Sequence, residues 1–313
     1  MRIVTAEEID GALTYPALVA ALRDAFRGEF TVPVRHHHTV PHPAADGTLL
    51  LMPAWGAAGE RYLGCKIVSV FPANAAKGKP SVYGTYLLMS GDTGEPLAAM
   101  DGRVLTAWRT GAASALAASY LAREDAAHLV MVGAGALAPH LVQAHAAVRP
   151  IRRVTIWNRT RSNAVKLAFA LAVTGIETEV TGDLEGAVRE ADIVSCATLS
   201  TTPLIQGKWL RKGAHLDLVG AFTPRMREAD DDAIRRARVY VDTRAGALKE
   251  AGDMVQPIKR GVLKKEGVRG DLFELARGKA KGRTSASQVT LFKSVGTAIE
   301  DLAAAMLVWR GLA

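Results

Sequence analysis

Apolar positions along the chain follow two different periods, and the change of period divides it. Near the N-terminus Leu18, Leu22, Ala25 and Phe26 fall at i, i+4, i+7 and i+8 behind Pro16, which predicts an amphipathic helix with proline in its first turn. Before it, Thr5 is followed three residues later by Glu8, the pattern of a capping box that starts a short helix. From about Thr31 to Asp101 the apolar residues gather into short runs, TLLLMPAW, YLGCKIVSVF, SVYGTYLLMS and EPLAAM, separated by Gly, Pro, Asn and Asp. These runs predict strands, and Ser90 to Gly94 reads as a hairpin loop between two of them. An α+β N-terminal domain with an antiparallel sheet is expected.

An alanine-rich helix is predicted over Thr110 to Leu121, after which strands and helices alternate. HLVMVGAG, RRVTIWN, ETEVT, ADIVSCAT, HLDLVGA and RVYVDT read as strands, with helices from Ala136 to Val148, through SNAVKLAFALA, after Asp183 and near Asp230 to Ala237. Such alternation indicates α/β architecture, a doubly wound parallel sheet of Rossmann type. Near the C-terminus Phe292, Val295, Ile299, Leu302, Met306 and Trp309 step by 3, 4, 3, 4 and 3, the stripe of a helix that is expected to pack back across the domain junction.

The 313 residues suffice for two domains with substantial cores, and a site between them is expected. With 49% hydrophobic residues and 2 cysteines, the chain is neither disordered nor a disulfide scaffold. Cys65 and Cys196 lie inside apolar runs and read as buried small hydrophobes. No stretch approaches the roughly 18 apolar residues of a membrane helix, and the start lacks the order of a signal peptide, so a cytoplasmic protein without a membrane partner is expected. Lys and Arg number 39 against 31 Asp and Glu, a formal net charge of +8. The basic residues are scattered and aromatics are 6%, a pattern that suits a small anionic ligand and not a nucleic acid.

The sharpest motif is Gly133-Ala134-Gly135-Ala136-Leu137-Ala138, a G-x-G-x-x-A that follows an apolar strand and opens a helix. Gly133 permits the tight turn, Gly135 admits a pyrophosphate close to the backbone, and Ala138 lets the helix approach the strand. Ala136 and Leu137 complete this predicted dinucleotide cradle. The next strand ends in Trp157-Asn158-Arg159-Thr160, without the carboxylate that usually holds the ribose hydroxyls of NAD. Arg159 and Thr160, with Asn158, suit a 2′-phosphate, so NADP(H) is preferred, with NAD(H) as the alternative.

In the N-terminal half stand Pro33-Val34-Arg35, Leu51-Met52-Pro53-Ala54, Gly64-Cys65-Lys66 and Asp101-Gly102-Arg103 running to Trp108-Arg109-Thr110. Together with GAGALA, WNRT and VTLFKSVG, in this order, they resemble the ornithine cyclodeaminase and mu-crystallin family over essentially the whole chain. The resemblance implies a substrate-binding and dimerisation domain over 1–112 with the C-terminal helix 290–313, a Rossmann domain over 113–289, and a homodimer. It also implies that Arg35, Lys66 and Arg109 clamp the carboxylate of an α-amino or α-imino acid, with Lys66 as the candidate proton donor and Arg109 also near the pyrophosphate. Thr85, Thr198, Val219 and Lys293 match family positions on the nicotinamide side.

Two departures bear on activity. Cyclodeaminases carry an acid/base aspartate after the V-G of a Rossmann strand, where this chain has Phe222, which cannot transfer a proton. They also carry a glutamate before L-M-P for the distal ammonium of ornithine, where this chain has Leu50. The resemblance is therefore to the ketimine reductase branch, which reduces Δ1-pyrroline-2-carboxylate to proline and Δ1-piperideine-2-carboxylate to pipecolate. The alternatives are an ornithine cyclodeaminase, an alanine-type dehydrogenase, or a non-catalytic protein that binds NADPH and a small ligand.

Other features invite chemistry and are read as structure. His36, His37 and His38 alternate faces along a strand and cannot converge on one ion, so no metal is expected there or with His42. Asp230 to Asp232 read as a helix cap, and Glu250 and Asp253 in KEAGD as a solvated loop.

Overall fold

The computed structural model describes residues 1–57 and 59–312. The chain divides into two compact units, Met1–Arg109 with Thr297–Ala313, and Thr110–Gly296. It opens with β1 (Arg2–Val4), α1 (Ala6–Ala12), α2 (Tyr15–Arg27), β2 (Phe30–Thr31), β3 (His36–Val40) and β4 (Gly47–Gly56). Then come β5 (Tyr62–Val70), β6 (Val82–Ser90), β7 (Pro96–Asp101), α3 (Gly102–Leu121), β8 (His128–Val132), α4 (Ala138–Ala146), β9 (Arg153–Trp157) and α5 (Arg161–Leu171). Next are β10 (Glu177–Val180), α6 (Leu184–Glu190), β11 (Ile193–Cys196), β12 (His215–Leu218), α7 (Asp231–Arg236), β13 (Ala237–Val241) and α8 (Arg244–Glu250). The chain closes with α9 (Gly252–Lys259), β14 (Gly270–Asp271), α10 (Leu272–Ala276), β15 (Val289–Lys293) and α11 (Ala298–Gly311).

In the first unit the strands pair in the order β1-β7-β6-β5-β4-β2, with β3 also on β4; β1 runs parallel to β7 and the remaining pairs are antiparallel. The Thr5 capping box forms as the spacing predicts, and α2 buries Leu18, Leu22, Ala25 and Phe26. Helix α11 packs against α2 and covers β4, β5 and β6. Strand alternation then decides which residues meet that helix. Met52, Lys66, Tyr86 and Met100 form one row across β4 to β7 and are all buried, whereas the adjacent row of Leu51, Ile67, Thr85 and Asp101 points to the opposite face.

The second unit is a parallel eight-stranded sheet in the order β10-β9-β8-β11-β12-β15-β13-β14. Alternate residues of β8 enter separate cores, Leu129 and Met131 one, Val130 and Val132 the other. A sheet buried on both faces explains the uninterrupted apolar runs. The strand order reverses between β8 and β11, which opens a crevice at their carboxyl ends. Asp217 ties this unit together from inside, accepting from Ser114 Oγ at 3.0 Å and Ser195 Oγ at 2.7 Å and facing His145 Nε2 at 3.1 Å. Burial alone would raise its carboxyl; the His145 and Ser195 hydrogen bonds and the two neighbouring histidines outweigh that and lower it.

Two expectations need correction. Phe292 lies in β15, between β12 and β13, and Val295 precedes the helix, so α11 begins only at Ala298 and residues 290–296 go with the second unit. A short, wholly apolar run that becomes a central strand has no period to separate it from a helix. The alanine-rich helix also starts earlier, at Gly102, where Asp101 Oδ1 accepts from the backbone of Arg103 at 2.8 Å and Val104 at 3.0 Å. Among the described residues no helix is long and apolar enough to cross a membrane.

Candidate active site

Strand β5 delivers Lys66 into the apolar row between Met52 and Tyr86, under α11, and leaves it 3% exposed. An ammonium there must be paired, and α11 supplies the pair. Its first turn carries Glu300 and Asp301, both fully buried, where the helix dipole favours negative charge. Lys66 Nζ lies 2.8 Å from each Asp301 carboxylate oxygen. It also donates to Thr106 Oγ1 at 3.3 Å, whose own hydroxyl donates to Gly102 O at 2.6 Å. Arg109, on α3, donates from Nε to Asp301 Oδ1 at 3.0 Å and from Nη1 to Glu300 Oε2 at 2.6 Å. Arg35 sits half-buried before β3, close enough to act on Lys66.

The structure thus gathers the three predicted cations in the first unit and adds two carboxylates. Burial, together with Arg109 and Arg35, pushes the Lys66 ammonium down to about 8, with Asp301 opposing them. Asp301 and Glu300 act in the opposite direction on Arg109 and outweigh its burial, which raises it further. The Tyr86 hydroxyl is buried beside this cluster without a hydrogen-bond partner among the described residues, and burial, Asp301 and Cys65 push it well above its usual range. A side chain at Gly64 would collide with that hydroxyl.

Thr85 is exposed on the opposite face of the sheet from Lys66. Glu300 and Asp301 escaped the sequence reading because they flank an apolar stripe and look like its solvated edge. The available signal was alanine richness on every side of α11, which is buried continuously from Ala298 to Met306.

In the second unit the glycine turn follows β8 at the strand-order reversal. Gly133 adopts φ +107°, and a Cβ there would stand 2.6 Å from Ala197 O. Gly135 and Ala136 are exposed, and a Cβ on Gly135 would meet nothing within 4 Å. Ala138 is buried as the first residue of α4, and no side chain caps that helix, so its amino end is open to a phosphate. Ala134 N donates to Asn158 Oδ1 at 3.1 Å and Asn158 Nδ2 to Thr160 O at 2.8 Å, which joins the turn after β9 to the glycine turn. Arg159 and Thr160 are exposed there, while Leu137 is half-buried. These features fit a dinucleotide: a tight turn, space over Gly135, open amides and a nearby guanidinium.

Thr198 flanks Gly133, its methyl 3.2 Å from where a Cβ would be. Its N–H and hydroxyl both donate to Glu228 Oε1, at 2.7 and 2.8 Å. Val219 is buried in the apolar core. Lys293, expected at the cofactor, is fully buried with its ammonium on Gly220 O, 3.5 Å from Asp253 and 4.0 Å from Glu228.

Asp253 is not in a solvated loop: it is fully buried on α9 and accepts from the backbone of Glu228 at 2.9 Å and Ala229 at 3.1 Å. Burial raises the Glu228 carboxyl, with Lys293 opposing and Asp253 reinforcing. The KEAGD pattern is polar enough to read as loop, and its aspartate is buried by tertiary contacts with Glu228, Ala229 and Lys293. Beyond β12, Ala221 has φ +49°, the one positive φ outside glycine among the described residues, and it turns Phe222 out to 48% exposure.

Residues 2–312 match the model of the ornithine cyclodeaminase/mu-crystallin family. The chain belongs to this family. The Delta(1)-pyrroline-2-carboxylate reductase of Paracoccus denitrificans is 41% identical over 97% of this chain and 94% of its own length. Among solved structures, the Thermococcus litoralis Delta(1)-pyrroline-2-carboxylate reductase in complex with NADH and L-proline superposes with TM-score 0.93 at 34% identity, covering 99% of this chain and 97% of that one. An archaeal alanine dehydrogenase dimer with bound NAD gives TM-score 0.91 at 31% identity, covering 99% and 95%.

Proposed function

We propose that the protein is an NAD(P)H-dependent ketimine reductase, converting Δ1-pyrroline-2-carboxylate to L-proline and Δ1-piperideine-2-carboxylate to L-pipecolate. The observation that carries this reading is that Arg35, Lys66 and Arg109 gather in the first unit, a set of cations that suits a carboxylate. The kinship with reductases of that name supports it. A bound nicotinamide cofactor supplies the hydride. Lys66 and the two arginines hold the carboxylate and orient the ring, and Lys66 is the group placed to keep the imine nitrogen protonated, so that its carbon is electrophilic. The exposed Phe222 offers no proton, and Leu50 on β4 offers no partner for a second amine, which separates this chain from the cyclodeaminases. The test is NADPH oxidation with both cyclic imines, with ornithine as control. Ammonia released from ornithine would overturn the reading, and ligand binding with no turnover would make the chain a binding protein.

NADP(H) is the preferred cofactor in this reading, because Arg159 and Thr160 stand exposed beyond β9 without a carboxylate. Arg159→Asp is expected to lower kcat/KM for NADPH by about 10- to 100-fold, the loss of one charge-assisted hydrogen bond plus repulsion, and to spare NADH. Equal losses with both cofactors would remove Arg159 from the 2′-phosphate.

We further propose that the first unit is the substrate-binding and dimerisation domain of a homodimer. The sheet face away from α11 carries Trp55, 41% exposed, and Tyr83, 49% exposed, beside half-buried Leu51 and Ile67. Trp55→Glu should shift the sedimenting species to monomer. Both cysteines are free, in keeping with a reducing compartment, and we place the enzyme in the cytoplasm.

A further inference from the structure

A carboxylate clamp made of three cations, two of them buried, needs something to hold the cations apart and charged. One oxygen, Asp301 Oδ1, accepts from both Lys66 Nζ at 2.8 Å and Arg109 Nε at 3.0 Å. Those donors come from different elements, β5 and α3, and the carboxylate comes from a third, α11. Glu300 accepts from Arg109 Nη1 at 2.6 Å. Asp301 joins Lys66 and Arg109 through one oxygen.

We propose that Asp301 is a positioning residue of the clamp: it spaces Lys66 against Arg109 for a substrate carboxylate and supplies the countercharge that keeps Lys66 an ammonium inside the sheet. The idea rests on the reductase reading for the identity of the substrate, but the geometry concerns any carboxylate that enters. Asp301 supports the Lys66 ammonium, and the other charges that act on it, Arg109 and Arg35, oppose it. Arg109 from α3 and Arg35 before β3 repel it, and Cys65 and Tyr86, from β5 and β6, are neutral because burial raises both. Glu300 is screened by the Arg109 guanidinium it binds.

Removing the Asp301 charge therefore has two effects of opposite sign. The pocket gains a net positive charge, which favours a carboxylate while Lys66 remains protonated. Lys66 also loses its proton at lower pH, which weakens binding above that point. A side chain that only braced the fold would lower affinity equally at every pH.

The probe is cyclopentanecarboxylate, fully ionised over the range used, titrated calorimetrically into the full-length protein from about pH 6 to pH 9. Wild-type affinity is expected to fall as pH rises through about 8. For Asp301→Asn the fall should come about one pH unit lower, giving about threefold weaker binding near pH 7.5 and about tenfold weaker near pH 9 but equal or tighter binding near pH 6, so that the two curves cross. Parallel curves would overturn the proposal. Asp301→Glu, which keeps the charge and changes the spacing, should bind more weakly at every pH with the fall still near 8; wild-type affinity throughout would overturn it whether or not Asp301→Asn folds. Imine turnover by the wild-type chain is measured in parallel. Crossing curves with inert imines would sink the reductase reading and leave the clamp, and turnover with parallel curves would do the reverse.

Discussion

Lys66→Met is expected to lower kcat/KM for Δ1-pyrroline-2-carboxylate by about 10²- to 10³-fold, the range for deleting one partner of a desolvated charge pair. Methionine keeps most of the volume between Met52 and Tyr86, so the loss is electrostatic and not a cavity. Asp301 keeps Arg109 at 3.0 Å, and the cluster loses one positive charge. A substrate carboxylate then loses one of the charges that attract it. How the loss divides between constants separates the roles assigned to Lys66. A group that only binds the carboxylate raises KM and leaves kcat, whereas one that also holds the imine proton lowers kcat as well. Cofactor affinity, read from the quenching of protein fluorescence by NADPH, should be unchanged, because the glycine turn belongs to the other unit. Wild-type kcat/KM in this variant would remove Lys66 from the substrate site.

How far the sequence led depends on the range of the physics at each residue. Capping and alternation act over a few neighbours, so the Thr5 box, the buried face of α2, the Ser90 hairpin and the glycine turn after β8 were all legible locally. Family motifs added Arg35, Lys66 and Arg109, which the fold brings together. Their counterions were not legible. Asp301 lies 235 residues from Lys66 along the chain, and no local rule links them. Likewise, Glu228 and Asp253 come to flank Lys293, at 4.0 and 3.5 Å, only through the fold. Buried charges are where local reading failed, since a charged residue in sequence looks solvated until tertiary packing removes the water.

The two glycines of the cradle should fail in different ways. Gly133→Val is expected to weaken NADPH binding by more than about 10³-fold and to cost about 2 to 4 kcal/mol of stability, because a branched side chain cannot adopt φ +107° and its Cβ would meet Ala197 O at 2.6 Å. β8 and β11 lie side by side there, so relief of the clash would part the strands that form the crevice. Gly135→Ala meets nothing within 4 Å and has no positive φ to strain it, so its melting temperature should match the wild type. Its methyl occupies space reserved for the pyrophosphate, and NADPH affinity should still fall about 10- to 100-fold. Thermal unfolding without cofactor and fluorescence titration with NADPH separate the two. Equal melting temperatures for all three proteins would show that Gly133 is not needed for the turn. Unchanged NADPH affinity in Gly135→Ala would place the pyrophosphate elsewhere than over this backbone.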